Sequence, residues 1–489
     1  MSGRSTSRVR LAWIPALLAA MVVPGCALLP RGAPVIHADN SVTHVMTASG
    51  GVPILDHYEP GQGVLRQAVV QGPVAPAPAP SVRPDGTVGY DLLALSGGGS
   101  LGAFGAGVLC GWSQSGSRPT FHIVTGISTG SLISALAFAG PNFDGQLQQA
   151  FTTVETPMIY RRKPYIAVLW SDSLARAEPL DRLIGQYAGP ELMAAIAEGH
   201  RQGRRLYVGT THLDHKRLVI WDMGSIAACG HPGAPELFRK ILRASSSIPV
   251  MFDPVDFRVI CDGGEYSELH VDGGTRASVF MRRILIRPLE SAQVEAADVD
   301  GDLLPTQAAV QHPIVNLQGG EGMRPLRLAG TRLWIVVNGK LRPDPAVVQR
   351  RIGTIAADSL QALMSAGFNG DLYRMFLLTS SSGMEYRMIA LPQDSPGTPG
   401  PADFDREAMI RVFLQGHEMG RKGGPWMPAP RGLDDSELQL ADPSFTAAAP
   451  ALTRDRDETL PIAIPVAPAE SRRPVRASWR PSDGMPPDR

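Results

Sequence analysis

Ser128 sits at the centre of Gly126-Ile127-Ser128-Thr129-Gly130, a G-x-S-x-G pentapeptide. A short apolar stretch, Phe121–Val124, precedes it, and the helix-like stretch Ser131–Phe138 follows. That order suits a nucleophile elbow, a turn so sharp that side chains at either glycine would collide with the neighbouring chain. The serine hydroxyl is then presented at a helix start, where the local dipole favours developing negative charge. Thr125 and Ser131 are read as shaping this turn, and the plain alternative is a glycine-rich turn with no chemistry.

Some thirty residues upstream, "DLLALSGGGSLGAFGAGVL" runs from a strand-like stretch through Gly97, Gly98 and Gly99 into a small-residue helix. Acyl transfer needs donors aimed at an oxyanion, and backbone N–H groups at the head of a helix serve well. A phosphate-binding loop is the competing reading. The segment lacks the Gly-Lys-Ser/Thr of a P-loop, however, and fits G-x-G-x-x-G only loosely.

A serine nucleophile needs a base. His200, His212, His215, His231, His270, His312 and His417 all lie downstream, none in an interpretable motif. "THLDH" reads as a polar strand end rather than a zinc site. Asp272, in "LHVDGGTRAS", follows an apolar lead-in and precedes two glycines. A second Asp-Gly-Gly begins at Asp262, and the ten residues between read as a hairpin. Asp262-Gly263-Gly264 would form its turn and Glu268–Val271 the returning strand.

The glycine loop, "GISTG" and the later "DGG" occur in the order found in patatin-like phospholipases, and "RASSSIPVMFDPV" (243–255) resembles that family's Ala-Ser-Ser-x-Ile-Pro stretch. The resemblance spans roughly 88–395. It implies a patatin-like α/β fold and a Ser-Asp dyad without histidine. Ser128 would be the nucleophile and Asp272, rather than Asp262, the base. It further implies an oxyanion hole at Gly97, Gly98 and Gly99, to which the Thr129 N–H adds a plausible donor. Leu101 stands where the family often has Arg or Lys, which weakens any charge-based grip on a phosphate head group. No metal or organic cofactor is implied.

These residues need elements to hold them. Strands are expected at Tyr90–Leu95, Phe121–Val124, Leu206–Thr211, Leu218–Trp221, Ile284–Ile286 and Leu333–Val337. Helices are expected at Leu101–Gly111, Ser131–Phe138, Glu236–Ala244 and Ala346–Ala366. The alternation predicts a three-layer α/β/α sandwich with a largely parallel central sheet, over residues 88–427. Residues 26–87, with their Ala-Pro run, read as a linker, and 428–489 as a disordered, Pro-rich tail.

The first 25 residues read as an export signal: Arg4, Arg8 and Arg10, then "LAWIPALLAAMVV", then "VPGC". Cys26 thus resembles the lipidated cysteine of a bacterial lipoprotein, although Pro24 departs from the usual lipobox. A lipid-anchored envelope protein is expected, with Ala27 and Leu28 favouring the outer membrane; a secreted or uncleaved form is the alternative. Of the other cysteines, Cys229 and Cys261 could be bridged, or all three could be buried thiols. With 46 basic and 46 acidic residues, the chain gives no reason to expect nucleic acid as a partner. The function expected is therefore serine lipid acyl hydrolysis. The alternatives are a non-catalytic binding or scaffold lipoprotein and a Ser-His-Asp esterase.

Overall fold

Asp91–Leu95 and Ile123–Ile127 bury every residue, as strands covered on both faces do. They belong to one eleven-stranded sheet in the computed structural model, which describes residues 41–70, 75–164, 171–290, 328–344, 347–350, 352–398 and 400–430. Cys26 with its export segment, His312 and the tail beyond 430 lie outside the described residues. In chain order the strands are β1 (Ser41–Thr47), β2 (Gly50–Glu59), β3 (Gly63–Ala68), β4 (Asp91–Leu95), β5 (Ile123–Ile127) and β6 (Arg205–His212). They continue with β7 (Arg217–Asp222), β8 (Val255–Cys261), β9 (Gly264–Asp272), β10 (Arg332–Val337) and β11 (Glu385–Ala390).

The sheet has two parts that share β6. In one, β6, β5, β4, β10 and β11 lie side by side and parallel. In the other, β6, β7, β3, β2, β1, β8 and β9 close on themselves, because β6 pairs with both β7 and β9. All pairs around this ring are antiparallel except β7 with β3. The expected α/β/α sandwich with a largely parallel central sheet is therefore corrected to a closed seven-stranded mixed barrel joined to a helical part. The physical reason lies in residues 41–68. They form β1, β2 and β3 and, with the β8–β9 hairpin, supply partners for edges that an open sheet would leave unpaired.

Alternate residues of the parallel strands face two apolar cores. Leu93, Leu95 and Val124 point to one; Leu92, Ala94, Ile123 and Ile127 point to the other. The first core packs α1 (Gly102–Gln114), α2 (Thr129–Ala139), α3 (Asp144–Thr152), α4 (Glu178–Tyr187), α5 (Pro190–Arg201) and α6 (Ala234–Ser245). The second is closed in part by α7 (Ile352–Ser382), and α8 (Arg406–Arg421) lies against α1. Ile284–Ile286, expected as a strand, is helical: 283–290 coils, burying Leu285, Ile286 and Leu289 at helical spacing. Among the described residues, no helix is long and apolar enough to cross a membrane.

Candidate active site

The site forms where two strands meet tip to tip on one edge of β6. β5 runs parallel to β6 and ends with Ile127 opposite Gly209. β9 arrives antiparallel from the other direction and ends with Asp272 opposite Thr210, the next residue. Ser128 leaves the first tip and Asp272 occupies the second. Residues 144 positions apart in the chain are thus brought together by register alone.

Ser128 has φ 54° and ψ −130° and caps the N-terminus of α2. For a residue with a side chain that backbone is strained by about 1–3 kcal/mol, so the surroundings must hold it. The flanking glycines explain how the turn closes. A Cβ on Gly126 would lie 2.4 Å from the Gly130 carbonyl oxygen, and one on Gly130 would lie 2.5 Å from that of Ser96. The Ser131 hydroxyl donates to the Ser128 carbonyl at 2.6 Å, as a turn-shaping residue does. Thr125 instead reaches across to the Phe280 carbonyl.

Asp272 is buried, and its carboxyl pKa is pushed up from 3.8 to about 7. Burial is the cause. The nearby Ser128 hydroxyl and the Gly274 N–H, 2.7 Å from Oδ1, pull the other way and do not win. Among the described residues, none of its partners is a cation. Asp262 stands in a different setting. It is exposed, has φ 48°, and with Gly263 forms the two-residue turn of the β8–β9 hairpin. Two positive φ angles in a two-residue loop suit the strand twist, and Asp-Gly is a favoured pair there.

The glycine loop lies beside Ser128. A Cβ on Gly97 would come within 3.1 Å of the Ser128 Cβ, while one on Gly98 would strike the Asn338 carbonyl oxygen at 1.9 Å. The Gly97 N–H donates to the Ser278 carbonyl, so Gly97 contributes space and not a free donor. No described residue accepts from the N–H groups of Gly98, Gly99 or Thr129. Leu101 follows in the short turn that leads into α1. Gly98-Gly99-Ser100-Leu101-Gly102 is a second G-x-S-x-G, passed over in the sequence. Its Ser100 hydroxyl donates to the Gly400 carbonyl at 2.8 Å and takes no part at the elbow.

Three polar residues not singled out in the sequence hold the arrangement. The Ser245 hydroxyl accepts from the Ser128 N–H at 3.0 Å and donates to the Gly209 carbonyl at 2.8 Å. The Ser247 carbonyl accepts from the Asp272 N–H at 2.8 Å. Asn338 binds Ser96 through both its backbone N–H and its amide. The two serines belong to the "RASSS" stretch, whose run of small polar residues closing an amphipathic helix was the available signal.

An apolar cavity opens from Ser128, Thr129 and Gly99. Leu132, Leu136, Phe151, Leu180, Leu192 and Phe252 are among its walls. Its lining suits an apolar chain.

The histidines gather elsewhere. Among the described residues none is a hydrogen-bond partner of Ser128 or Asp272. His212, Glu268 and His270 bring ligand-type atoms within 4.8 Å of one another inside the barrel. Those groups are already committed. Arg66 reaches across from β3 to both Glu268 oxygens, at 2.7 and 3.0 Å. His212 Nδ1 accepts from the His215 N–H, leaving the ring proton on Nε2, where a metal would have to bind. Burial, followed by its histidine neighbour His270, pushes the His212 imidazole down to about 3. The donor set therefore fits an internal ion-pair network better than a metal centre. Cys110, Cys229 and Cys261 are free thiols, so the bridge left open in the sequence does not form.

Residues 93–283 match the profile of the patatin-like phospholipase family, from β4 to the start of the helix at 283–290. The chain carries a patatin-like phospholipase domain. This patatin-like domain contains the glycine loop, the elbow and the tip of β9, and the activity class that goes with it is lipid hydrolysis. Similar solved structures include VipD from Legionella pneumophila, 10% identical, covering 72% of this chain and 71% of that one with a TM-score of 0.32. Another is ExoU in its complex with SpcU from Pseudomonas aeruginosa, 11% identical, covering 81% and 60% with a TM-score of 0.23. No curated protein matches it.

Proposed function

We propose that this protein is a serine lipid acyl hydrolase of the phospholipase A or related esterase type, working through a Ser128–Asp272 dyad. The observation that carries the reading is a buried carboxylate with no cation partner among the described residues, beside a strained serine at the mouth of an apolar cavity. A base with a pKa near the working pH both accepts and returns a proton readily. Asp272 takes the hydroxyl proton as Ser128 Oγ attacks the ester carbonyl, and the acyl chain lies in the cavity. The free N–H groups of Gly98, Gly99 and Thr129 are the available donors for the tetrahedral oxyanion. Asp272 then returns its proton to the leaving alcohol, and water, deprotonated by the same carboxylate, releases the fatty acid from the acyl-enzyme.

The decisive experiment incubates the purified chain with phospholipid and identifies the products by mass spectrometry. Free fatty acid and lysophospholipid are expected, and neither from Ser128→Ala. A chain that binds lipid but releases nothing would instead support the scaffold reading.

The sequence around Cys26 supports a second proposal, anchoring to a bacterial envelope membrane through lipid on that cysteine. Labelled palmitate is expected to enter the unaltered protein and not Cys26→Ser. Label retained by Cys26→Ser would defeat it.

A further inference from the structure

The strained elbow raises a question that the dyad does not answer: what holds Ser128 at φ 54° against the strand tip that carries Asp272? Ser128 begins α2, so its N–H has no partner within the helix. That N–H is buried, and one side chain takes it, the Ser245 hydroxyl at 3.0 Å. The same hydroxyl donates its proton to the Gly209 carbonyl at 2.8 Å, and Ser245 is fully buried. Gly209 is the residue of β6 that faces the end of β5, one step before the residue that faces Asp272. Gly273, next to Asp272, packs on that carbonyl so closely that a Cβ there would come within 2.5 Å of its oxygen. Two residues beyond Ser245, the Ser247 carbonyl receives the Asp272 N–H at 2.8 Å. Ser247 is itself fastened, since its hydroxyl donates to the Arg243 carbonyl and accepts from the Arg243 guanidinium.

Resting on the proposed function, we infer that Ser245 is a positioning residue for the hydrolysis. It sets the distance and angle between Ser128 Oγ and the Asp272 carboxylate by tying the elbow to β6, while Ser247 fixes the base on the same three-residue segment. Ser245 touches no substrate. One hydroxyl satisfies two buried backbone groups, a donor from the elbow and an acceptor from the strand beside it. Its loss would take that partner from both, and the least costly relief is for the elbow to relax. A second consequence concerns the oxyanion. Because Ser245 occupies the nucleophile's own N–H, donation falls to Gly98, Gly99 and Thr129.

The test uses the full-length chain with Ser245→Ala and Ser245→Thr, comparing kcat, KM and their pH dependence on a soluble ester. Rates are normalised to the fraction of Ser128 labelled by a fluorophosphonate, so that misfolded protein does not count. Ser245→Ala is expected to lower kcat per labelled serine by about 10- to 100-fold with KM changed less than twofold, since a small displacement of a reacting group costs this much. The acid limb of kcat is expected to move to higher pH, because a Ser128 hydroxyl displaced from Asp272 no longer pulls its pKa down. Ser245→Thr, which keeps the hydroxyl, is expected to recover most of the rate. If Ser245→Ala loses melting temperature but keeps kcat per labelled serine and its acid limb, Ser245 only stabilises the fold and the inference is overturned. If Ser245→Thr is as impaired as Ser245→Ala with the same profile, the hydroxyl is not the acting group and the inference also fails. An unaltered chain that neither takes label at Ser128 nor hydrolyses ester defeats the reading of the site itself, and this inference with it.

Discussion

Two buried carboxylates on β9, four residues apart, have opposite environments. Glu268 lies inside the barrel with the Arg66 guanidinium on both its oxygens, and Arg66 also grips Asp56. Burial alone would lower the Arg66 pKa, but the two carboxylates outweigh it and the pKa is raised. Arg66 further stacks over Trp221, whose indole N–H donates to Thr210. Asp272 has no cation partner among the described residues. Its neighbours are a serine hydroxyl and a backbone N–H, and its pKa sits near 7. One strand thus carries a carboxylate neutralised by a cation and a carboxylate left uncompensated, as the proposed base would be. The difference is what a desolvated carboxylate is allowed to pair with.

The largest effect should come from the unpaired group. Ser128→Ala is expected to abolish hydrolysis, and Asp272→Asn to lower it by about 10²–10⁴-fold, the usual share of a general base. The double variant should be scarcely worse than Ser128→Ala, because members of one catalytic unit are not additive. Initial rates on one ester substrate measure all three.

Removing the cation at the paired group should instead unfold the protein. Arg66→Met strands two buried carboxylates and is expected to destabilise by about 3–5 kcal/mol. Denaturant titration reads this, and Asp272→Asn in the same assay should show no comparable loss. Equal destabilisation by the two variants would erase the contrast between them.

The pH dependence sharpens the comparison. With Asp272 as the proposed base, hydrolysis needs it ionised, so the acid limb is expected to fall near pH 7. Stability runs the other way. Between the ordinary 3.8 and about 7 the folded state binds more protons at this site than the unfolded chain, so stability declines as pH rises through that window. Asp272→Asn should remove this part of the slope and be relatively most stable above pH 7. Melting temperatures of both proteins from pH 4 to 8 test the sign.

The smallest effect should be at Asp262. Asp262→Asn keeps a residue suited to positive φ in a hairpin turn, and rate and stability should stay within about twofold and 0.5 kcal/mol. A dead Asp262→Asn beside an active Asp272→Asn would transfer the role of base to the wrong end of β9.

The catalytic candidates were legible because each is announced locally. Glycines forced by the elbow surround Ser128, glycines also mark the loop at 97–99, and an Asp-Gly-Gly ends β9. The barrel was not legible, and the same ion-pair network explains why. A half-buried strand is recognised by apolar residues at alternate positions. In β2 the buried register reads Val52, Ile54, Asp56, in β3 it includes Arg66, and in β9 it includes Glu268 and His270. Charged residues in the inward positions broke the pattern that would have identified residues 41–68 as strands. The free donor at Gly97 was misjudged for another reason: its partner, the Ser278 carbonyl, is some 180 residues away and no local spacing announces it.

The barrel also changes how far this enzyme could reach from a membrane. A linker occupying residues 26–87 would have been a long leash, letting the domain roam well above the bilayer. With β1 beginning at Ser41, only about fifteen residues separate Cys26 from the folded body. Fully extended, that stretch spans at most about 50 Å. If Cys26 is lipidated as proposed, the start of β1 stays within about 50 Å of the lipid surface. The anchor would then raise the local concentration of substrate as well as fix the address.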